Sequence, residues 1–199
     1  MTTIEPIPAT ARHLVIDMQR LFAEKTDWHT PSIADILPNV LRLSQAHLDR
    51  TLFARFMVPA TPDAAIGRWR AYYRRWSSVT GDRLAPGMLD LVAPLAALAR
   101  PESTIDKTTY SVFEAPGFAA RLEAMGVDTL IFSGVETDMC VLASLLDAVD
   151  RGYRVVAVSD AMTSSAPAAH AAMLEHIFPR LPEQIDIATT ESVLTAWAL

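Results

Sequence analysis

The sequence predicts an α/β protein, a three-layer αβα, Rossmann-like arrangement around a six-stranded parallel sheet. Short β-branched, apolar runs alternate with longer helix-period segments, which is the pattern of βαβ units. Such runs suit strands covered by helices on both faces. No repeat, low-complexity tract or linker divides the 199 residues, so one domain over 1–199 is expected.

The predicted strands are His13 to Asp17 (HLVID), Thr51 to Val58 (TLFARFMV), Ser103 to Lys107 (STIDK), Thr129 to Gly134 (TLIFSG), Arg154 to Ser159 (RVVAVS) and Ile185 to Ala188. Helix-period segments lie near residues 33–49, 88–99, 117–125, 138–151, 166–178 and 190–198. Pro31 and Pro38 frame the first helix, and Gly126 and Gly152 follow apolar-periodic runs where C-terminal caps belong. The stretch from Pro59 to Pro86 is too long for an ordinary connection and reads as a functional excursion. Inside it, RWRAYYRRW sets Trp69, Tyr72, Tyr73 and Trp76 at i, i+3, i+4, i+7, with Arg68, Arg70, Arg74 and Arg75 largely opposite. The aromatic stripe is expected either to pack on the domain or a neighbouring subunit, or to send a Tyr or Arg into the active site.

A formal charge of −6 gives no basic excess with which to displace counterions from nucleic acid. No apolar run reaches the ~18 residues of a membrane helix, and MTTIEPIPATARH does not read as a leader. The single cysteine, Cys140, cannot form an internal disulfide and fits a reducing, cytoplasmic compartment. A small-molecule enzyme or binding module is what remains.

In a parallel sheet, ligands sit beyond the carboxyl ends of the strands. Strand one ends in Asp17, strand three in Lys107, and strand four runs through SGVETDMC to deliver Cys140 at the start of a helix. Thr137 or Asp138 is expected as the N-cap, placing Cys140 in the first turn, where free N–H groups stabilise an anion. A neighbouring Lys107 would lower the thiol pKa further. None of the five histidines points at Cys140 in this pattern, so Asp17 is the expected proton acceptor.

LVIDMQ, a lysine followed by TYSVF, and SGVETDMCVLASLLDAVDRGYRVVAVSDAMTSS together resemble the isochorismatase-like cysteine hydrolase superfamily over residues 12–195. The resemblance implies an Asp17–Lys107–Cys140 triad and a cis peptide between Val135 and Glu136. It also implies an oxyanion hole from the backbone N–H groups of Glu136 and Cys140, with the Glu136 side chain directed away and given no chemistry. It further implies C–N hydrolysis of a small amide or carbamoyl compound through a Cys140 thioester, and a homodimer or homotetramer. The metal-binding DxH motif of nicotinamidases after strand two is replaced here by MVPATPDAAIGRW, and Asp27-Trp28-His29 imitates it in another place. No metal or other cofactor is therefore expected. Phe22, Trp28, Tyr110 and Phe113 are the expected substrate-binding residues. The alternatives are an isochorismate-type hydrolase or isomerase, and a non-catalytic binding or redox-sensing protein on the same fold.

Overall fold

A computed structural model describes residues 4–197; residues 1–3 and 198–199, including the last position of the helix expected over 190–198, lie outside it. Six strands form one all-parallel sheet in the order β3-β2-β1-β4-β5-β6. They are β1 (Arg12–Ile16), β2 (Thr51–Phe56), β3 (Thr104–Lys107), β4 (Thr129–Val135), β5 (Arg154–Thr163) and β6 (Ile185–Ala188). The helices are α1 (Arg20–Ala23), α2 (Ile33–Ala46), α3 (Trp69–Arg75), α4 (Ala93–Ala96), α5 (Phe118–Ala124), α6 (Leu142–Asp150), α7 (Pro167–Ala172) and α8 (Thr190–Ala196).

The strands form because their apolar runs are buried on both sides: every residue of β4 is buried, as are Leu14 to Ile16 of β1 and Val155 to Val158 of β5. Helices α2 and α8 pack together over β5, while α6 meets the turn at Val112–Glu114 that also receives α5. Chain direction across the sheet reverses between β1 and β4, which lie side by side at its centre. That reversal opens the crevice where a doubly wound sheet takes its ligand.

Several expectations change. Strand five runs past Ser159 to Thr163, with its register against β4 shifted between Phe132 and Gly134. Strand two stops at Phe56, where the Gln19 side chain takes over its pairing: Oε1 accepts the Phe56 N–H at 2.7 Å and Nε2 donates to the Phe56 carbonyl at 3.1 Å. The apolar segment 88–99 holds only the single turn α4, which starts beside Pro94. The helix expected over 166–178 continues past α7 as a wider turn at Met173–Ile177 and then a tight turn at Phe178–Arg180. The excursion is ordered by α3 and the short turns at Pro62–Ala64 and Ser77–Val79. No helix among the described residues is long and apolar enough to cross a membrane.

Candidate active site

Asp17 leaves β1 with a positive φ of 52°, its N–H held by the Ala54 carbonyl and its own carbonyl accepting from Gln19. Lys107 ends β3, two strands from β1, and must reach across the end of β2. Its stem does so over the Phe56 ring, with Nζ 4.6 Å from the ring centroid. There Nζ donates to Asp17 Oδ2 at 2.7 Å and to the Thr109 carbonyl at 3.2 Å. Both side chains of this ion pair are fully shielded from solvent.

Cys140 follows β4, past a cis peptide between Val135 and Glu136. The approach to it is set by Gly134, whose φ is 106° and where a Cβ would stand 2.1 Å from the Ile16 carbonyl oxygen. Only glycine lets β4 come this close to β1, and so lets the segment that carries Cys140 start beside Asp17. Neither Thr137 nor Asp138 caps the helix. Glu136 stands at the N-cap position, and the first turn is a wide one over Thr137–Val141 in which the Glu136 carbonyl accepts from both Met139 and Val141. The Thr137 hydroxyl is committed instead to His170 Nδ1 at 2.8 Å.

Asp17 and Lys107 both act electrostatically on the Cys140 thiol. Contrary to the sequence expectation of a stabilised thiolate, burial pushes this thiol well above its ordinary pKa, Asp17 adding to the rise and Lys107 opposing it. The reason is charge balance: Lys107 already neutralises Asp17, and a thiolate would add an uncompensated negative charge to a dry site. Burial also raises the Asp17 carboxyl, against the pull of Lys107. Burial pulls the Lys107 ammonium down, but Asp17 and Cys140 outweigh it and the net shift is upward. The resting arrangement is thus a buried ion pair beside a protonated thiol.

This group borders a cavity of about 330 Å³ that includes Cys140 in its lining. One side of the cavity is aromatic, formed by Phe22, Trp28, Phe56, Tyr72, Trp76 and Tyr110. Phe22 stacks on Trp28 at 5.9 Å, and Trp28 meets Phe56 edge-on at 5.8 Å and Tyr72 at 6.0 Å. Of the expected substrate-binding residues, Phe22, Trp28 and Tyr110 border this cavity. Phe113 does not: the turn at Val112–Glu114 carries it away from the cavity, to pack edge-on against Phe118 at 5.3 Å beneath the Arg151 guanidinium.

The Glu136 side chain is also placed differently from expectation, since it borders the cavity, where its Oε1 accepts from the Thr30 hydroxyl and the Ser165 N–H. Of the α3 stripe, Tyr72 and Trp76 reach the cavity, while Trp69 and Tyr73 pack behind them and the arginines stay outside. Arg74, for example, pairs with Asp63 on the surface. Phe56 ends β2 two residues before the strand end expected from the sequence, Asp138 reads in the sequence as a candidate helix cap and not as a cavity residue, and nothing in the local sequence marks Ser165. Asp27 borders the cavity too and is tied to the excursion by a short hydrogen bond from the Ser78 hydroxyl. Among the described residues, no group of three or more His, Cys, Asp or Glu side chains is arranged to hold a metal ion.

Residues 11–191 match the family model described as the isochorismatase domain. A maleamate amidohydrolase of Pseudomonas putida is 37% identical over 86 residues, which is 39% of this chain and 40% of that protein, so this match spans well under half of either. A ureidoacrylate amidohydrolase of Methylobacterium radiotolerans is 28% identical over 96% of this chain and 83% of its own length. A crystal structure of a cysteine hydrolase from Pseudomonas syringae superposes with a TM-score of 0.76 at 25% identity, covering 98% of both chains.

Proposed function

The chain belongs to the isochorismatase family, and from that premise we propose that it hydrolyses a C–N bond of a small amide or carbamoyl compound through a thioester on Cys140. The observation that carries this reading is the buried Lys107–Asp17 ion pair, which acts electrostatically on the Cys140 thiol, beside a cavity lined by aromatic rings and by Cys140 itself. Amidohydrolase relatives support the bond type.

Asp17 is the general base. Its raised pKa makes it a better proton acceptor than an ordinary aspartate, and the thiol it serves is protonated at rest. As the amide carbonyl arrives, the thiol proton passes to Asp17 and Cys140 Sγ bonds to the carbonyl carbon. Negative charge thus leaves the carboxylate as it builds on the substrate oxygen, and the site never holds two anions against one ammonium. Backbone N–H groups of Glu136 and Cys140 receive that oxygen.

Collapse breaks the C–N bond, and the leaving nitrogen takes the proton from Asp17. A water then enters, gives its proton back to Asp17 and attacks the thioester. Collapse of this second adduct breaks the C–S bond and frees the acid, and Asp17 returns its proton to the sulfur. Lys107 keeps Asp17 oriented throughout and holds its charge when the proton departs.

Redox sensing is the weaker reading, since a sensor thiol is accessible and of low pKa, whereas Cys140 is 7% exposed and its pKa is raised. The test is ammonia or amine release from a panel of amides, carbamoyl compounds and ureides. Cys140→Ala is expected to lower turnover by about 10³-fold or more while the fold survives, and mass spectrometry to find an acyl adduct on Cys140 with a slow substrate. Full activity in Cys140→Ala overturns the proposal, and activity that needs Asp17 but resists thiol alkylation points to non-amide chemistry.

A further inference from the structure

The side chains that border the cavity divide unevenly by charge. Three carboxylates, Asp27, Glu136 and Asp138, line it, and no lysine, arginine or histidine does. Lys107 faces the site only through Asp17 and Cys140, and its ammonium is already held by Asp17 and the Thr109 carbonyl. Among the described residues, none of the three carboxylates has a cationic side chain within 4.0 Å. Their partners are neutral donors: the Ser78 hydroxyl for Asp27, and the Thr30 hydroxyl and Ser165 N–H for Glu136. Asp138 Oδ1 is buried with no partner. Burial pushes the His170 imidazole down, against the pull of Asp138.

The same lining is rich in aromatic rings, whose faces attract cations and are indifferent or repulsive to anions. Two of these rings already carry a protein cation, Phe56 under Lys107 at 4.6 Å and Trp76 under the exposed Arg75 at 4.9 Å. No protein cation lies over Phe22, Trp28, Tyr72 or Tyr110 among the described residues. A carboxylate-bearing substrate would lose its water here and gain no cationic partner, at the side of three like charges. A substrate ammonium would find aromatic rings and carboxylates in the same lining.

We propose that the group beyond the scissile amide carries a positive charge, an ammonium or quaternary ammonium seated against the Trp28–Tyr72 wall and facing Asp27 and Asp138. This rests on the amidase reading of the same cavity, because it takes the carbonyl to lie at Cys140. It separates the chain from an enzyme for carboxylate amides such as maleamate.

The test uses three probe amides of similar size: 2-(trimethylammonio)acetamide, its neutral isostere 3,3-dimethylbutanamide, and the anion succinamate. Binding to Cys140→Ala is followed by tryptophan fluorescence, which Trp28 and Trp76 report from the cavity wall. The cation is expected to bind about tenfold more tightly than its isostere, with succinamate weakest. Asp138→Asn should shrink the cation's advantage severalfold and leave the isostere unchanged. Protection of wild-type Cys140 from iodoacetamide by the same probes should follow the same order, so the result does not depend on one variant folding.

Equal affinity for cation and isostere, tighter binding of succinamate, or no binding of the cation overturns the proposal. Because affinity on Cys140→Ala involves no turnover, the two readings fail separately. A cation preference without amide hydrolysis by wild type removes the amidase reading alone. Cys140-dependent hydrolysis with a neutral or anionic preference removes this one alone.

Discussion

The two sides of the cavity are built by different means. The reacting side hangs from strand ends: Asp17, Lys107 and the approach to Cys140 are fixed by β1, β3 and β4, and the ion pair there is wholly buried. The aromatic side hangs mostly from short turns, with Trp28 in the loop after β1 and Tyr72 and Trp76 at α3 within the excursion. Only Phe56 belongs to both, as the last residue of β2 and the ring under Lys107. Chemistry that tolerates little displacement is carried by the sheet, and shape selection is carried by segments that can vary without disturbing it.

Removing the charge that crosses β2 should break the reacting side most severely. Lys107→Met leaves Asp17 buried without its partner and is expected to cost about 3–5 kcal/mol, read as a lowered urea midpoint, with amide turnover lost as well. A substitution on the other side, Trp28→Ala, should leave a urea midpoint nearer to wild type and raise KM about tenfold. If both variants lose stability equally, the division between the two sides fails.

The sheet should also dominate the response to acid. His13, buried in β1 and hydrogen-bonded to Ser133 at 2.7 Å, has its pKa lowered by burial from 6.5 to about 3. Below pH 6.5 the unfolded chain takes a proton at His13 that the folded chain refuses, so stability is full above that pH and declines as pH falls towards about 3. Asp17 works in the opposite sense, since its raised pKa makes the folded state the better proton acceptor in acid. The difference between wild type and His13→Gln isolates the histidine. The variant should lack a slope of about 1.4 kcal/mol per pH unit, measured by urea unfolding between pH 6 and 4, and an unchanged slope would contradict His13 being buried neutral.

The smallest effect compares two aromatics that follow Lys107. Tyr110→Phe should change kcat/KM by a few-fold without moving the urea midpoint. Phe113→Leu should leave kcat/KM alone and lower stability by about 1 kcal/mol through lost packing on Phe118. A kinetic effect of Phe113→Leu larger than that of Tyr110→Phe would return Phe113 to the cavity.

These contrasts follow the limits of what the sequence discloses. The strands were legible because a sheet covered on both faces imposes one requirement, continuous apolar runs, that a single sequence displays. Asp17 and Lys107 followed from where those runs end. Phe113 and Tyr110 lie three residues apart after the same strand, and only the tight turn at Val112–Glu114 decides which of them faces the cavity. At Cys140 the local features, a helix start and a lysine, favour a thiolate, while burial and a carboxylate from β1, which no local stretch of sequence displays, push the thiol pKa up. Likewise, the stripe on α3 was visible as a pattern, but its orientation depends on the loop after β1 that it meets through Trp28.

Gly134 bears on this in another way. At that position the main chains of two strands nearly touch, and the missing Cβ would lie 2.1 Å from the Ile16 oxygen, one residue before Asp17. Any side chain there acts as a wedge whose thickness is added to the gap between the carboxylate and the sulfur, without altering either group. A series of replacements at Gly134, ordered by size, is therefore a graduated spacer: it would convert the question of how closely acid and nucleophile must be matched into a curve of rate against separation.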